Sequence, residues 1–297
     1  MIKRTYHLSP VTRMSLAFLM FFQSLSALSA PTDNVSASAV EAANELLQLS
    51  GMSEQLQSLP GAVIDSFEQS IRSGGLDLPF REEDIPYLKS SLTQVFNSER
   101  LQRAVQEQLN VELNEKQLAR LTHFYQSDRG RQIRQAEIDH SILRHRERFT
   151  LWHEHSGLRS LSEARQMAVR DLEKALHATD AAVDTLISMQ VALQMGLTPA
   201  LPSDQRQSAA QLISAARVHR PALTRAYQES SLESIAFVYQ DQSLDALRAF
   251  SAMLKTAAGQ RYVHAVNLGL SHGMLDAAEA LGESMKPLLL RRLGQGV

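Results

Sequence analysis

Four histidines and several charged side chains are concentrated in the segment "HSILRHRERFTLWHEH", from His140 to His155. Imidazole and carboxylate groups commonly bind metal ions or transfer protons, so this histidine segment is the first candidate for a chemical site. Two zinc ligands on one face of a helix are typically four residues apart, and no two of these histidines are separated by three or four. We therefore expect neither a metal ion nor another cofactor here. An enzyme with its site in this segment is the alternative function.

The same segment also has the pattern of a packing helix. No glycine or proline lies between Gly130 and Gly157, which allows one continuous helix of about 39 Å. Five side chains recur at intervals of four and three residues, as in a stripe that packs on neighbouring helices. They are Ile138, Ile142, His145, Phe149 and Trp152. His145 and Trp152 are accordingly interpreted as packing residues, although protonation of His145 would make the packing sensitive to pH.

The N-terminus has the order of a secretory signal peptide, which predicts a cleaved leader over residues 1–29. Lys3, Arg4 and Arg13 precede a mainly apolar run, and small residues close the run before Pro31. The apolar run is shorter than the roughly 20 residues that cross a membrane. We expect a periplasmic or extracellular protein with no transmembrane span. The chain has no cysteine, so it folds without disulfides.

Composition and proline spacing predict an all-α fold of about ten to twelve helices. No proline lies between Pro86 and Pro199, and alternating strand patterns with tight turns are absent. The formal net charge is −2, which becomes −5 without the three cationic residues of the leader. Binding of the whole protein to nucleic acid is therefore not expected.

Capping residues predict where several helices begin. The predicted starts are Ser98, Ser160 with Glu163 as a capping box, Thr179, Ser203, and Pro221 as a first-turn residue.

Two stretches of 21 residues follow one pattern: "LNEKQLARLTHFYQSDRGRQI" over 113–133 and "QSLDALRAFSAMLKTAAGQRY" over 242–262. Each begins with a good N-cap, Asn114 or Ser243, and continues with an apolar stripe. The stripes are Leu118, Leu121 and Phe124 in the first copy, and Leu247, Phe250 and Met253 in the second. Only two of the 21 pairs are identical, so spacing and residue class define the match. We interpret it as a duplication of two helical units, 30–157 and 158–297.

Ser127 and Thr256 each stand three residues before a glycine, Gly130 or Gly259. This spacing predicts a corner in which the hydroxyl side chain caps the second of two helices. The glycine then lies in the first turn, where its missing side chain allows a close approach.

Phe124, Tyr125, Ser127 and Gly130 resemble the signature of the bacterial envelope proteins grouped as domain of unknown function 2059, Phe-Tyr-x-Ser-Pro-x-Gly. Asp128 stands where that signature has proline, and the second copy retains Thr256 and Gly259. The resemblance implies an exported, helical protein without a cofactor, and it implies no particular activity.

Charge is distributed unevenly along the chain. Residues 30–99 contain eleven acidic and three basic residues, whereas residues 128–170 contain nine arginines and six acidic residues. Either these segments face one another or solvent, or arginines such as Arg144 and Arg148 form a patch for an anionic envelope partner.

The leading functional hypothesis is a non-enzymatic binding or assembly module for an envelope protein or a lipid-like ligand. The chain has no Gly-x-Ser-x-Gly elbow, phosphate-binding loop, dinucleotide fingerprint or His-Glu-x-x-His motif. The groove between the two copies is the expected binding place.

Overall fold

The computed structural model describes residues 37–72, 82–141, 145–197 and 207–294, so the predicted leader lies outside it. These residues form twelve α-helices and two short 3-10 turns, Glu82–Asp84 and Leu158–Ser160, and none of them is in a β-strand. The prediction of an all-α fold is confirmed.

The helices are numbered in chain order. They are α1 (Ala37–Leu49), α2 (Met52–Arg72), α3 (Ile85–Val95), α4 (Ser98–Glu112), α5 (Glu115–Gln126), α6 (Asp128–Asp139), α7 (Arg146–His155), α8 (Glu163–Leu176), α9 (Ala178–Leu197), α10 (Ala209–Val238), α11 (Leu244–Leu254) and α12 (Ala257–Gly294).

Helix α12 is the central element of the fold. It has 38 residues and packs most extensively on α4 and on α9, and α9 packs in turn on α10. Its buried residues include Val266, Leu270 and Met274, which recur at intervals of four along one face. Because helices from both halves of the chain surround it, α12 joins those halves into one packed structure.

Two glycines allow α12 to cross α4 at close range. A Cβ atom on Gly269 would lie 2.5 Å from the Cα of Val105 and 2.7 Å from the carbonyl oxygen of Ala104. One turn later, a Cβ on Gly273 would lie 3.0 Å from a methyl carbon of Leu101. The crossing therefore brings the backbone of α4 into direct contact with α12.

The main hydrophobic core contains residues from both predicted units, including Leu46 and Leu109 from the first and Phe237 and Val266 from the second. A smaller core lies between α9 and α10 and contains Val183, Ile187, Val191, Leu212 and Tyr227. The division into units 30–157 and 158–297 stays a prediction.

The N-caps Asn114 and Ser243 are confirmed: each side chain accepts a hydrogen bond from the backbone N–H three residues later. Ser98 and Ser160 were wrong as caps. Asn97 caps α4 instead: its side chain accepts from Arg100 N at 2.8 Å, and Ser98 is already the first residue of the helix. Ser162 caps α8, while the Ser160 hydroxyl donates to the Gly157 carbonyl.

The other two starts inside the described ranges were also wrong. Helix α9 begins at Ala178, before Thr179, because His177 adopts a left-handed conformation (φ 52°) and ends α8 there. Pro221 lies inside α10, which begins twelve positions earlier at Ala209, with Ser208 as its cap. Ser203 lies outside the described residues.

The continuous helix predicted between Gly130 and Gly157 is interrupted, so the proposed stripe was wrong. Helix α6 ends at Asp139, with His140 as its C-cap, and α7 begins after His145. The absence of glycine and proline permits a continuous helix but does not require one, and His140 is buried against Phe237 where α6 ends. Ile142 and Arg144 lie outside the described residues.

Candidate functional site

Both predicted corners are present, and their hydrogen bonds match. At the α5–α6 corner, the Ser127 hydroxyl accepts from Gly130 N at 3.2 Å and donates to the Phe124 carbonyl at 2.6 Å. At the α11–α12 corner, the Thr256 hydroxyl accepts from Gly259 N at 3.0 Å and donates to the Met253 carbonyl at 2.7 Å. Each hydroxyl thus hydrogen-bonds to the last turn of one helix and to the first turn of the next.

The glycine of each corner faces the last turn of the preceding helix. A Cβ on Gly130 would lie 2.5 Å from the Cα of Tyr125, and a Cβ on Gly259 would lie 2.6 Å from the Cα of Leu254. Only glycine leaves room for this approach, because both distances are far shorter than van der Waals contact.

The two corners pack against each other through aromatic side chains. The Phe124 and Phe250 rings stack with centroids 6.0 Å apart, and the Tyr125 and Tyr262 rings are 6.3 Å apart. Aromatic side chains fill the space at this contact. The motif residues Phe124 and Tyr125 therefore have a packing role at this contact. A binding groove between the copies stays a prediction.

The histidine segment is held by carboxylates from the C-terminal end of α10 and the turn after it. The His153 Nδ1 atom contacts Glu233, whose side chain is almost entirely buried although the imidazole is 56 % exposed. His140 Nε2 lies 3.1 Å from a carboxylate oxygen of Asp241. Since residues 233 and 241 are more than 75 positions away in sequence, the spacing of the histidines alone did not reveal these pairs.

Phe237 is the centre of this contact between α7 and α10. Its ring centroid lies 5.8 Å from His140, 5.3 Å from Phe149 and 5.7 Å from Trp152. Trp152 is therefore a packing residue, as expected. His145 is half-buried at the N-cap of α7, where its side chain makes no capping hydrogen bond, and Arg148 is exposed.

A buried acid lies beside this cluster. The Tyr239 hydroxyl donates to Glu137 Oε1 at 2.5 Å, and Gln55 Nε2 lies 3.5 Å from Glu137 Oε2. Burial raises the pKa of the Glu137 carboxyl from 4.5 to about 8, although the Tyr239 hydrogen bond partly lowers it. Burial also raises the pKa of Tyr125 and of Tyr239. The raised pKa favours the neutral form of the Glu137 carboxyl at pH 7, and the hydrogen bond from Tyr239 joins α6 to the residue that follows α10.

Several arginines of the basic segment have partners in the protein. Arg134 contacts Glu54 at 2.5 Å, which places a basic residue of 128–170 against an acidic residue of 30–99. Arg165 donates to the carbonyls of Tyr239 and Gln240, each at 2.6 Å. The Arg134–Glu54 contact favours the interpretation in which the two charged segments face one another.

A surface cleft of about 280 Å³ lies between α8 and α11. Its lining comes from positions i, i+3, i+4 and i+7 of both helices: Ala164, Met167, Ala168 and Asp171 on α8, and Arg248, Ser251, Ala252 and Lys255 on or just after α11. Small residues form its floor, and Met167 stands at its rim with 59 % of its surface exposed. We call this feature the α8–α11 cleft. Its alanines and serine gave no functional signal in the sequence.

No family model, curated protein or solved structure matches the chain. Within the described ranges, no three histidine, aspartate or glutamate side chains are grouped so that they could hold a metal ion. No helix in that part of the chain has both the length and the hydrophobicity needed to cross a bilayer.

Proposed function

We propose that this protein is an exported, non-enzymatic helical module of the bacterial envelope that binds a partner protein in the α8–α11 cleft. The leader pattern over residues 1–29 and the resemblance of the first corner to domain of unknown function 2059 support the location. The cleft carries the proposal, because it combines an exposed apolar side chain with charged side chains on a small-residue floor.

The shape of the cleft favours a protein over a lipid-like ligand. Sites that enclose small ligands cover most of the ligand surface. The α8–α11 cleft, at about 280 Å³, is an open groove between two packed helices. Such grooves suit a side chain or a helix of another protein, which covers the rims as well as the floor.

A photo-crosslinking amino acid at Ala252 tests this function in cells that express the full chain. Irradiation should give discrete protein adducts from position 252, and none from a matched probe at Arg120, an exposed position on α5. Adding Met167→Glu should reduce the adduct about tenfold, as expected when a contact worth about 1.4 kcal/mol is lost.

Met167 is largely exposed, so its substitution should leave the melting temperature unchanged. Equal adducts from positions 252 and 120, or adducts with lipid alone, would contradict the proposal of a protein-binding cleft.

An enzyme is the second candidate, and the His153–Glu233 pair favours it. A buried carboxylate that holds one imidazole nitrogen orients the ring, as the aspartate of a catalytic triad orients its general base. The exposed ring of His153 could then act on a substrate from solvent.

Hydrolysis of a nitrophenyl ester by the purified protein tests this candidate. Under our proposal, His153→Ala and Glu233→Gln should hydrolyse the ester as slowly as the wild type and His145→Ala do. A wild-type rate that both the His153 and Glu233 variants abolish, while His145→Ala retains it, would establish an active site and overturn the non-enzymatic assignment.

A further inference from the structure

The walls of the α8–α11 cleft have the spacing of a two-helix groove. Four lining positions on each side follow the i, i+3, i+4, i+7 pattern, which covers two helical turns or about 10.5 Å. Ala168 and Ser251 are buried between the helices, while Ala164 and Ala252 remain exposed. Because these side chains are small, a third helix laid along the groove can approach α8 and α11 closely.

Two cations stand along the α11 side of the groove. The Arg248 side chain is 64 % exposed and the Lys255 side chain is 50 % exposed, seven positions apart. Their ion pairs, with Asp245 and Asp171, are both 3.8 Å long and well exposed, so each contributes little stability. These cations can therefore turn to a partner at small cost.

The rims of the groove are not uniformly charged. Asp171 belongs to the opposite wall, and Asp245 lies one turn before Arg248. A membrane surface would bring its anionic headgroups against both carboxylates at once. A helix can place its own carboxylates only where the cations are, so the charge pattern favours a protein segment.

Met167 is the apolar contact that such a helix would cover. It is among the most exposed large apolar residues of the described chain, and it borders the alanine floor. Methionine adapts its shape to a partner, because its side chain is unbranched and polarisable.

We propose that the α8–α11 cleft receives an amphipathic α-helix of a partner protein that carries acidic residues on one flank. The apolar stripe of that helix lies on Met167 and Ala252, and its carboxylates pair with Arg248 and Lys255. This inference rests on the proposed function and names the chemistry of the partner.

Three fluorescent synthetic peptides of about 18 residues, or five helical turns, provide the probe. Two of them have the same leucine stripe, with glutamates along one flank in the first and lysines at the same places in the second. The third has the composition of the glutamate peptide in scrambled order, which removes the stripe. Fluorescence anisotropy with the full chain should show that the glutamate peptide binds at least tenfold more tightly than either of the others, a difference of about 1.4 kcal/mol.

Charge reversal in the cleft supplies the decisive comparison. Arg248→Glu combined with Lys255→Glu should reverse the preference, so that the lysine peptide binds more tightly than the glutamate peptide. The matched control combines Arg103→Glu with Arg120→Glu, which makes the same charge change on exposed positions of α4 and α5. This control should retain the preference for the glutamate peptide.

The inference is overturned if the glutamate and lysine peptides bind alike, if no peptide binds, or if the control shifts the preference as much as the cleft variant does. Crosslinking in cells separates this failure from a failure of the proposed function. If Ala252 gives protein adducts but the glutamate and lysine peptides bind alike, the protein-binding cleft is supported and the acidic helix is rejected. Without adducts and without peptide binding, both proposals fail.

Discussion

Replacing Gly269 with alanine should destabilise the protein by about 3 kcal/mol or more, the upper range for inserting an extra methyl group into a packed interior. The new Cβ would lie 2.5 Å from the Cα of Val105. A flexible side chain could move away, but this neighbour is the backbone of α4. The central helix α12 would have to separate from α4, which would disturb one of the two most extensive helix contacts among the described residues.

Urea denaturation, followed by circular dichroism at 222 nm, measures the effect as a lower unfolding midpoint. Gly61→Ala is the matched control, because Gly61 lies inside α2 and no atom lies within 4 Å of a Cβ placed there. It should stabilise the protein by up to about 1 kcal/mol through helix propensity. Equal midpoints for Gly269→Ala and the wild type would show that the α4–α12 crossing is looser than the structure has it.

Features that depend on a few neighbouring residues could be predicted from the sequence. The corners at Ser127 and Thr256 are formed by a hydroxyl and a glycine three positions apart, and the caps Asn114 and Ser243 act on amides of their own helices. The all-α fold follows from the same local preferences, summed over a chain with few prolines.

Features that depend on distant residues could not be predicted in this way. The break after Asp139 accompanies the burial of His140 against Phe237, almost a hundred positions later. Gly269 has no local signature either, since an isolated glycine in a helical pattern only weakens that pattern. Its role is visible only when α4 lies across it.

The candidate sites also combine features that the sequence shows with features that depend on distant residues. The histidine segment drew notice by its composition, but its carboxylates, Glu233 and Asp241, come from a distant part of the chain. In the sequence, Glu137 does not differ from other helical glutamates, and only the folded structure shows its hydrogen bond from Tyr239. The α8–α11 cleft depends on small residues, which carry no chemical signal in a sequence.

The buried carboxyl of Glu137 should make the protein less stable as the pH rises from about 4.5 to about 8. The pKa of this carboxyl is about 8 in the folded protein, whereas the ordinary value, which applies to the unfolded chain, is 4.5. Over this interval the unfolded chain releases a proton that the folded protein retains, so the free energy of unfolding falls by up to about 1.4 kcal/mol per pH unit. Below the interval the stabilisation is complete, and above it no further loss occurs.

Glu137→Gln removes this titration, while its amide oxygen can still accept the hydrogen bond from Tyr239. As the pH rises from 5 to 8.5, the free energy of unfolding of the variant should therefore increase relative to that of the wild type by up to about 4 kcal/mol. Urea denaturation at several pH values measures this difference. Glu107→Gln, at an exposed position of α4, is the matched control, and its stability should follow the wild type at every pH. If Glu137→Gln also follows the wild type, the carboxyl is ionised in the folded protein. Water or a cation must then reach Glu137, because a charged carboxylate is too costly to bury without such compensation.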